Sequence, residues 1–504
     1  MKKNSELVGR EQGLVTPPPL AARDKTQKAT NCIAKRSQSI YKPSTMTASK
    51  DEKQQTPDES VTAKETKKHK KKADNWRPLG PRDPFAMLNA LPEEKQQEIQ
   101  RALHLFNLGP TLPRTLEQAK KHQYHFWDTQ PVPKLGDTIS SHGPVADGER
   151  RVRAEPYSLP QGFSWDTLDL SSAAVLKELC TLLNDNFTVE DDNTLRLDFT
   201  EEFLKWTLQS PQWLPQWHCG VRVDSNKKLV GFIAAVPTDL TVYAKEINMV
   251  QVRLLCVHKK LRQKRMTPVL IRELSRRVAQ RGVQQGLYSA HVVLPTPLST
   301  CSYWHRSLNT RKLMELKYPG VRQDIAVQRA VKLNKLRDAT KTAGLRAMTR
   351  ADIPALHSLL QSNKSKFDLS TNFSVQGVEH WLLPRDRLTF SYVIQGEDGG
   401  LSGAFSFFSL SWEVLNDPQH LELREAQLLF CLCPSADLKD VMEDALVLAK
   451  AKGFDVFTAL DVMDNKTFLE NLKFNMSGKR THTYLYNWKC PTVNPDKVGF
   501  VLPI

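Results

Sequence analysis

Residues of the type and spacing to do chemistry concentrate in LLCVHKKLRQKRMTPVLIRELSRR, Leu254 to Arg277. Leu254 to Val257 is an apolar run that predicts a buried strand. Five basic side chains follow, Lys259, Lys260, Arg262, Lys264 and Arg265. Pro268 then predicts a helix start, with Leu270, Ile271 and Leu274 as its apolar face. A strand, a basic loop and a helix N-terminus make an anion site, because first-turn N–H groups and the helix dipole favour phosphate. Arg262 and Arg265 add fork-shaped donors. A compact pyrophosphate suits one loop better than a nucleic-acid backbone does. On these residues alone, a phosphate ligand and a solvated basic loop both stay open. Ser289 reads as a strand hydroxyl, His305 as a structural histidine, and VEDDN, Val189 to Asn193, as a solvated turn.

The chain that positions this stretch has 504 residues and a net charge of +16. Such a balance favours an acidic partner: nucleic acid, an anionic membrane or a phosphate-bearing ligand. Residues 1–80 carry 18 Lys/Arg and 9 Asp/Glu, a net of +9, and have no apolar periodicity. They are expected to be a disordered basic tail. Its KKHKKK block, Lys67 to Lys72, fits a nuclear signal, an RNA-binding patch or a ribosome tether, and also a plain solvated tail, with contact to a polyanion favoured slightly over the last and a nuclear address less. Eight cysteines lie scattered without a C-x-x-C pair, so neither a disulfide framework nor a zinc site is expected. No metal or resident cofactor is expected. No apolar run has the length of a membrane span, and MKKNSELVGR lacks the apolar core of a signal peptide. A cytoplasmic, monomeric protein, with ribosome or membrane association open, is the expectation. RNA- or DNA-binding signatures are absent, so a nucleic-acid reading rests on charge alone.

Order is expected from about Pro81. DPFAMLNALPEEKQQEIQRALHLF predicts a helix with Ile99, Leu103 and Leu105 on its apolar side. YHFWDTQPVPKLGD, Tyr124 to Asp137, predicts an ordered extended segment, since its prolines exclude a regular helix. The remainder divides into two similar halves. FSWDT begins the first, before a helix capped at Ser171 or Ser172. LRAMTRADIPALHSLL begins the second, with a helix after Asp352. Late in each half a helix and a strand lead to what reads as an aromatic-bearing helix, CSYWHRSLN in one and NKTFLENLKF in the other. This is an internal repeat of pattern, with a boundary at Val331 to Leu345. The domains are expected at 1–80, 81–335 and 336–504.

Several blocks carry a resemblance in order along the chain: YHFWDTQPVPKLGD, EPYSLPQGFSWD, WLPQWHCGVRV, LLCVHKKLRQKRMTPVLIRE, CSYWHRSLN, GFDVFTALDVMDNKTFLENLKF and YLYNWKCP. Together they resemble N-myristoyltransferase, in particular the animal enzymes, from about Pro81 onward. The resemblance implies an α/β mixed sheet made of two fused GNAT-like halves with pseudo-twofold symmetry. It implies transfer of a myristoyl group from myristoyl-CoA, a substrate, to the amine of an N-terminal glycine. On this reading the backbone N–H groups of Leu254 and Leu255 form an oxyanion hole, worth roughly 3–4 kcal/mol of barrier. His125, Phe126, Trp127, Cys256 and Val257 line the acyl-CoA site, and Gln263, Arg265, Met266 and Thr267 hold the CoA phosphates. Cys256 is a wall residue, because transfer in this family is direct.

The peptide side follows by the same route. Ser289 handles the attacking amine, and the α-carboxylate of Ile504 takes its proton. Glu190 and Asp192 belong to a pocket for a substrate lysine, and Tyr303 and His305 line the peptide groove. Departures cluster here. The signature E-I-N-F-L-C-x-H-K is QVRLLCVHK, which places Arg253 where the family has Asn. A usual Gly is His291. K-F-G-x-G-D-G is KFNMSGK, so the lysine-pocket Asp is Gly478. A Tyr and a Ser of the groove are Phe408 and Trp412. These departures keep a second reading in view, a divergent acyl-CoA-binding paralogue with weak, altered or absent transferase activity.

Overall fold

A computed structural model describes residues 112–146, 152–187, 194–262, 264–415, 417–434 and 436–502. The tail, the KKHKKK block and the helix expected around Ile99 lie outside them. So do Glu190, Asp192, Gln263 and Ile504.

Two series of elements run in the same order. The first is β1 (Phe163–Thr167), α1 (Ala173–Asn186), α2 (Glu201–Leu208), β2 (His218–Val223), β3 (Leu229–Val242), β4 (Lys245–Val257), α3 (Met266–Ala279), β5 (Gly286–Ala290) and β6 (Ser299–Ser307). The second is β7 (Leu345–Ala347), α4 (Ile353–Asn363), α5 (Val375–Leu382), β8 (Thr389–Gln395), β9 (Leu401–Val414), β10 (Glu422–Leu432), α6 (Leu438–Ala451), β11 (Val456–Leu460) and β12 (Asn475–Tyr486). Their strands form one sheet in the order β1-β2-β3-β4-β5-β12-β6-β11-β10-β9-β8-β7. The order is a palindrome. Each half is completed by the last strand of the other, and β6 pairs with β12 at the centre. Parallel pairing occurs at equivalent places, β4 with β5 and β10 with β11. The fold is therefore an α/β mixed sheet of two like halves, as expected.

Alternation along the strands assigns the two faces. In β3, Phe232 and Ala234 join a core with Leu176, Trp206, Leu356 and Trp381 of α1, α2, α4 and α5. Ile233 and Ala235 point the other way, onto Leu270 and Leu274 of α3. In β9, Phe408 joins the first face, whereas Phe405 and Phe407 pack under α6. Trp206 and Trp381 meet edge to face at 5.1 Å, tying the helices of the two halves together.

Two local expectations are corrected. CSYWHRSLN is not a helix: Ser299–Ser307 is strand β6, and a short helix follows at Thr310–Glu315. Residues 302–305 of this strand are all half-buried, so the apolar–polar alternation that would mark a strand is missing. Helix α3 starts at Met266, two residues before Pro268, behind Arg265 in a left-handed conformation (φ +56°). The N-cap of α1 is Ser172, one of the two residues expected, and it makes no side-chain capping bond; the neighbouring Ser171 Oγ donates to Asp169 at 2.6 Å. The seven cysteines among the described residues are free thiols. No helix among the described residues is long and apolar enough to cross a membrane.

Candidate active site

The end of β4 is bent open by its own register. Phe232 of β3 pairs with Cys256, and Ala234 pairs with Arg253. Leu254 and Leu255 thus share one opposing residue, which is a β-bulge. Leu254 adopts φ +51°, a left-handed conformation that an L-residue avoids by about 1–2 kcal/mol. It is held there by burial, being 8% exposed. A bulge interrupts the ladder, and both residues line a cleft of about 1580 Å³.

The basic loop follows directly. Lys259–Leu261 forms one 3₁₀ turn. Asn186, at the end of α1, braces it: its Oδ1 accepts from Lys259 N–H at 2.9 Å, and its carbonyl accepts from Arg262. Lys264 and Arg265 are exposed. Arg265 caps α3 without using its side chain, so its guanidinium does not fill the helix N-terminus. The loop is therefore a braced turn carrying cations, set over the positive end of a 14-residue helix.

The extended aromatic segment forms another wall. Tyr124 Oη donates to Val293 O at 2.7 Å, and Asn487 N–H donates to Pro131 O at 2.8 Å. Trp127 stacks on Tyr288 at 5.3 Å, and Tyr288 stacks on Tyr484 at 4.9 Å. This three-ring column stands beside the cleft with His125 and Phe126. Beyond Leu254 the lining becomes apolar, with Phe187, Leu197, Phe199 and Phe203 from around α1 and α2. Such a chamber suits an acyl chain, since burying a methylene is worth about 0.8 kcal/mol.

The other end of the cleft is polar. Ser289 is exposed on β5, opposite Thr483 of β12. His305 Nδ1 lies 2.8 Å from Thr458 Oγ1. Burial, and then the charge of Lys479, pushes its pKa down to about 4, so the imidazole is neutral at pH 7. Burial raises the pKa of the Tyr303 hydroxyl, which stays protonated. Arg253 is 1% exposed. It donates to Gln251 Oε1 at 2.7 Å and lies over the Trp381 ring at 5.5 Å. Burial pushes its pKa down to about 9, which leaves it charged at pH 7. Gln251 in turn donates to the Leu502 carbonyl at 3.0 Å, and Leu502 and Ser289 border one small void of about 30 Å³.

One cleft thus gathers His125, Phe126, Trp127, Leu254, Leu255, Thr267, Ser289, Tyr303 and His305. Arg265 stands outside its lining, on the loop. Cys256, Val257 and Met266 do not present side chains to it: they are 3%, 6% and 1% exposed and packed in the core. Their contribution to a ligand is limited to backbone. Burial lifts the Cys256 thiol to about 12, which makes it inert as a nucleophile. Sequence reading missed Tyr288, the phenylalanine chamber and Glu425, which accepts from Trp412 Nε1 at 2.7 Å. Only the aromatic content around residues 187–203 could have signalled the chamber. No group of three His, Cys, Asp or Glu able to hold a metal occurs among the described residues.

Comparison with known proteins agrees with this geometry. Residues 145–301 match the family model of the myristoyl-CoA:protein N-myristoyltransferase N-terminal domain, and residues 315–501 match that of its C-terminal domain. The chain is 51% identical to glycylpeptide N-tetradecanoyltransferase 2 of Danio rerio, over 82% of this chain and 84% of that one. It is 50% identical to the Bos taurus protein of the same name, over 82% and 83%. The solved structure of Saccharomyces cerevisiae N-myristoyltransferase with bound myristoyl-CoA superposes with a TM-score of 0.73 at 33% identity, covering 75% of this chain and 99% of that one. Matched in both domains and at about half identity over most of its length, this chain belongs to the myristoyl-CoA:protein N-myristoyltransferases.

Proposed function

We propose that this chain transfers a myristoyl group from myristoyl-CoA to the N-terminal glycine amine of proteins. The observation that carries this reading is the continuity of one cleft from the N-terminal turn of α3, past the Leu254–Leu255 bulge, to Ser289 and His305. CoA phosphates sit on the loop of Lys259 to Arg265 and the first turn of α3, with Gln263, Arg265, Met266 and Thr267 as contacts. The acyl chain enters the phenylalanine chamber, flanked by His125, Phe126 and Trp127. The thioester carbonyl receives hydrogen bonds from the N–H groups of Leu254 and Leu255.

The neutral amine, oriented by the Ser289 hydroxyl, attacks the carbonyl carbon. An N–C bond forms and the C–S bond breaks. CoA departs as a thiolate, and the proton lost by the amine nitrogen goes to that sulfur, so the products are the amide and the CoA thiol. Positioning and oxyanion stabilisation supply the rate, with no acyl-enzyme. We assign acyl-CoA binding to residues 81–335 and peptide binding to 336–504, with Ser289, Tyr303 and His305 contributed across. Glu190 and Asp192 complete the peptide side. We read the chain as a cytoplasmic monomer whose Lys67 to Lys72 block contacts a polyanion such as the ribosome. Co-sedimentation with and without that block tests the contact.

The deciding test of function is labelled myristoyl-CoA with a panel of glycine-starting peptides. Label on the glycine amine is expected. Tight binding of a non-hydrolysable analogue with no transfer to any peptide would instead leave an acyl-CoA-binding paralogue.

A further inference from the structure

Beyond Ser289, one wall of the cleft is the sheet of the second half, and its register says which side chains face in. His305 pairs with Thr458 of β11, Thr458 with Gln427 of β10, and Gln427 with Phe408 of β9. His305, Gln427 and Phe408 line the cleft. Stepping by two along the same strands gives Glu425 on β10 and Leu410 and Trp412 on β9, which line it as well. Trp412 is held from several sides. Its backbone pairs with Leu423 of β10 and with Leu197 of the short strand Leu195–Asp198. It packs on a cluster that includes Leu313, Tyr318 and Val456. Its Nε1 donates to Glu425 Oε2 at 2.7 Å. An indole N–H without that bond would ask a ligand for an acceptor such as a serine hydroxyl. Glu425 meets the demand from within, so the indole faces the cleft as an apolar plate. Trp412, Leu410 and Leu197 are each only half-buried. His305 Nδ1 is engaged with Thr458 Oγ1 at 2.8 Å, and its ring meets Tyr318 edge to face at 5.6 Å. What this wall offers a ligand is therefore carbon, continuous from His305 through Tyr318 to Trp412.

From this arrangement we propose that the chain selects glycine-starting acceptors that carry a large apolar side chain where they cross β9, with Trp412 as the specificity-determining residue. The proposal rests on the transferase reading, which puts the acceptor's glycine at Ser289. Ser289 shares a row with Thr483 and Ser299. From Ser299 to His305, strand β6 covers roughly 20 Å. An extended acceptor, at up to about 3.6 Å per residue, spans that in about six residues. A leucine or phenylalanine there covers the indole and Leu410, whereas a serine leaves them wet and finds the Trp412 N–H already taken. The lysine pocket proposed for Glu190 and Asp192 acts by charge and is screened by salt. A preference for carbon is not, so salt separates the two.

The test uses the full chain loaded with a non-hydrolysable myristoyl-CoA analogue. Fluorescent ten-residue peptides start with glycine and carry Ser, Leu or Phe in turn at each of the third to eighth positions. Dissociation constants are measured at about 50 mM and about 500 mM salt. At one position Leu and Phe are expected to bind about tenfold tighter than Ser at both salt concentrations, as half-burial of such a side chain allows. Trp412→Ser should bring the three within about twofold, and Trp412→Phe, which keeps a ring, should retain at least about threefold. If Trp412→Ser does not fold, the parent series and Trp412→Phe decide. Ser, Leu and Phe peptides that bind alike at every position in the parent, or no binding by any of them, would overturn the proposal. So would a preference that survives Trp412→Ser, or one that fades at high salt and thereby belongs to charge. If Trp412→Ser weakens the acyl-CoA analogue and leaves the peptide preference intact, the acyl chain and not the acceptor lies on this wall. The transferase reading fails separately, in the label-transfer assay: apolar peptides that bind without being acylated keep the preference and lose the reaction.

Discussion

Arg265 separates conformation from charge in the proposed phosphate seat. It holds φ +56° at the N-cap of α3, is exposed, and spends no side-chain hydrogen bond on the cap. Arg265→Ala removes the guanidinium but keeps a β-carbon in the left-handed region. Arg265→Gly removes the guanidinium and relieves about 1–2 kcal/mol of that strain, against about 0.5–1 kcal/mol of extra unfolded-chain entropy. The glycine variant is therefore expected to be as stable as the parent or up to about 1.5 kcal/mol more stable, and the alanine variant close to the parent. Both lose one charge-assisted bond to phosphate, worth about 1.5–3 kcal/mol before solvent screening. With four other cations on the loop, about 1.4–2 kcal/mol should remain, a tenfold to thirtyfold weaker Kd. Calorimetry with the non-hydrolysable myristoyl-CoA analogue at two salt concentrations reads binding, and urea midpoints read stability. Equal weakening in both variants supports a charge role. If glycine binds like the parent and only alanine weakens, backbone shape is what matters. If both bind within twofold of the parent, the loop is not the phosphate seat.

Arg253 is charged at pH 7, since burial brings its pKa only to about 9, and His291 stands in the same cleft. Arg253→Asn with His291→Gly should raise turnover on ordinary myristoylation peptides by about tenfold, or 1.4 kcal/mol of barrier. A parent that already matches a typical family member on those peptides refutes this. Glu273 is fully buried and accepts from Arg276 at 2.6 Å and Arg277 at 2.9 Å. Burial raises its pKa, but those bonds and the Tyr157 N–H outweigh it, and the net shift is downward. Its contribution is thus present above the ordinary carboxylate range and is lost as pH falls through the lowered pKa. Glu273→Gln should cost about 3 kcal/mol in urea unfolding at pH 7, and a cost below about 1 kcal/mol would show the pair to be dispensable. His218 is fully buried, and burial lowers its pKa to about 4. The unfolded chain therefore binds the extra proton between about pH 6.5 and 4, and stability drops across that window by up to about 3 kcal/mol. His218→Asn should flatten that part of the stability–pH profile, and an unchanged slope would point to other groups.

The anion-site logic was legible because a strand, five cations and a helix start are local in sequence. The bulge was not. It is defined by what β4 faces across the sheet, Phe232 against Cys256 and Ala234 against Arg253, and no local pattern encodes a partner's register. The same holds for the column of Trp127, Tyr288 and Tyr484, whose members are far apart in the chain. Strand β6 was misread because residues 302–305 are all half-buried, which leaves no apolar–polar alternation to mark it. The repeat was legible as pattern, but the exchange of last strands between halves was not, since either strand satisfies the same apolar pattern in either sheet.

The duplication makes the origin of the phosphate seat testable within one molecule. Both halves follow their fourth strand with a turn and a 14-residue helix, α3 and α6. Both fourth strands carry a register bulge, at Leu254–Leu255 and at Leu429. A helix N-terminus alone would therefore give two anion sites. The side chains differ in sign. Residues 258–265 hold five Lys/Arg and no acid, whereas residues 433–440 hold Asp437, Asp440 and one lysine, Lys439. Asp437 is the N-cap of α6 and accepts from Lys439 N–H at 2.9 Å. That turn has its own carboxylate where a phosphate would go, and two negative charges facing any that approached. The bulges differ as well. Both leucines are buried, but only Leu254 adopts a left-handed conformation, φ +51°, and lines the large cleft. The dipole is common to both helices, so it cannot be what distinguishes them. Charge on the turn and an opened bulge are present together only in the first half. One acyl-CoA per chain is the stoichiometry this arrangement requires, and a calorimetric ratio of two would refute it.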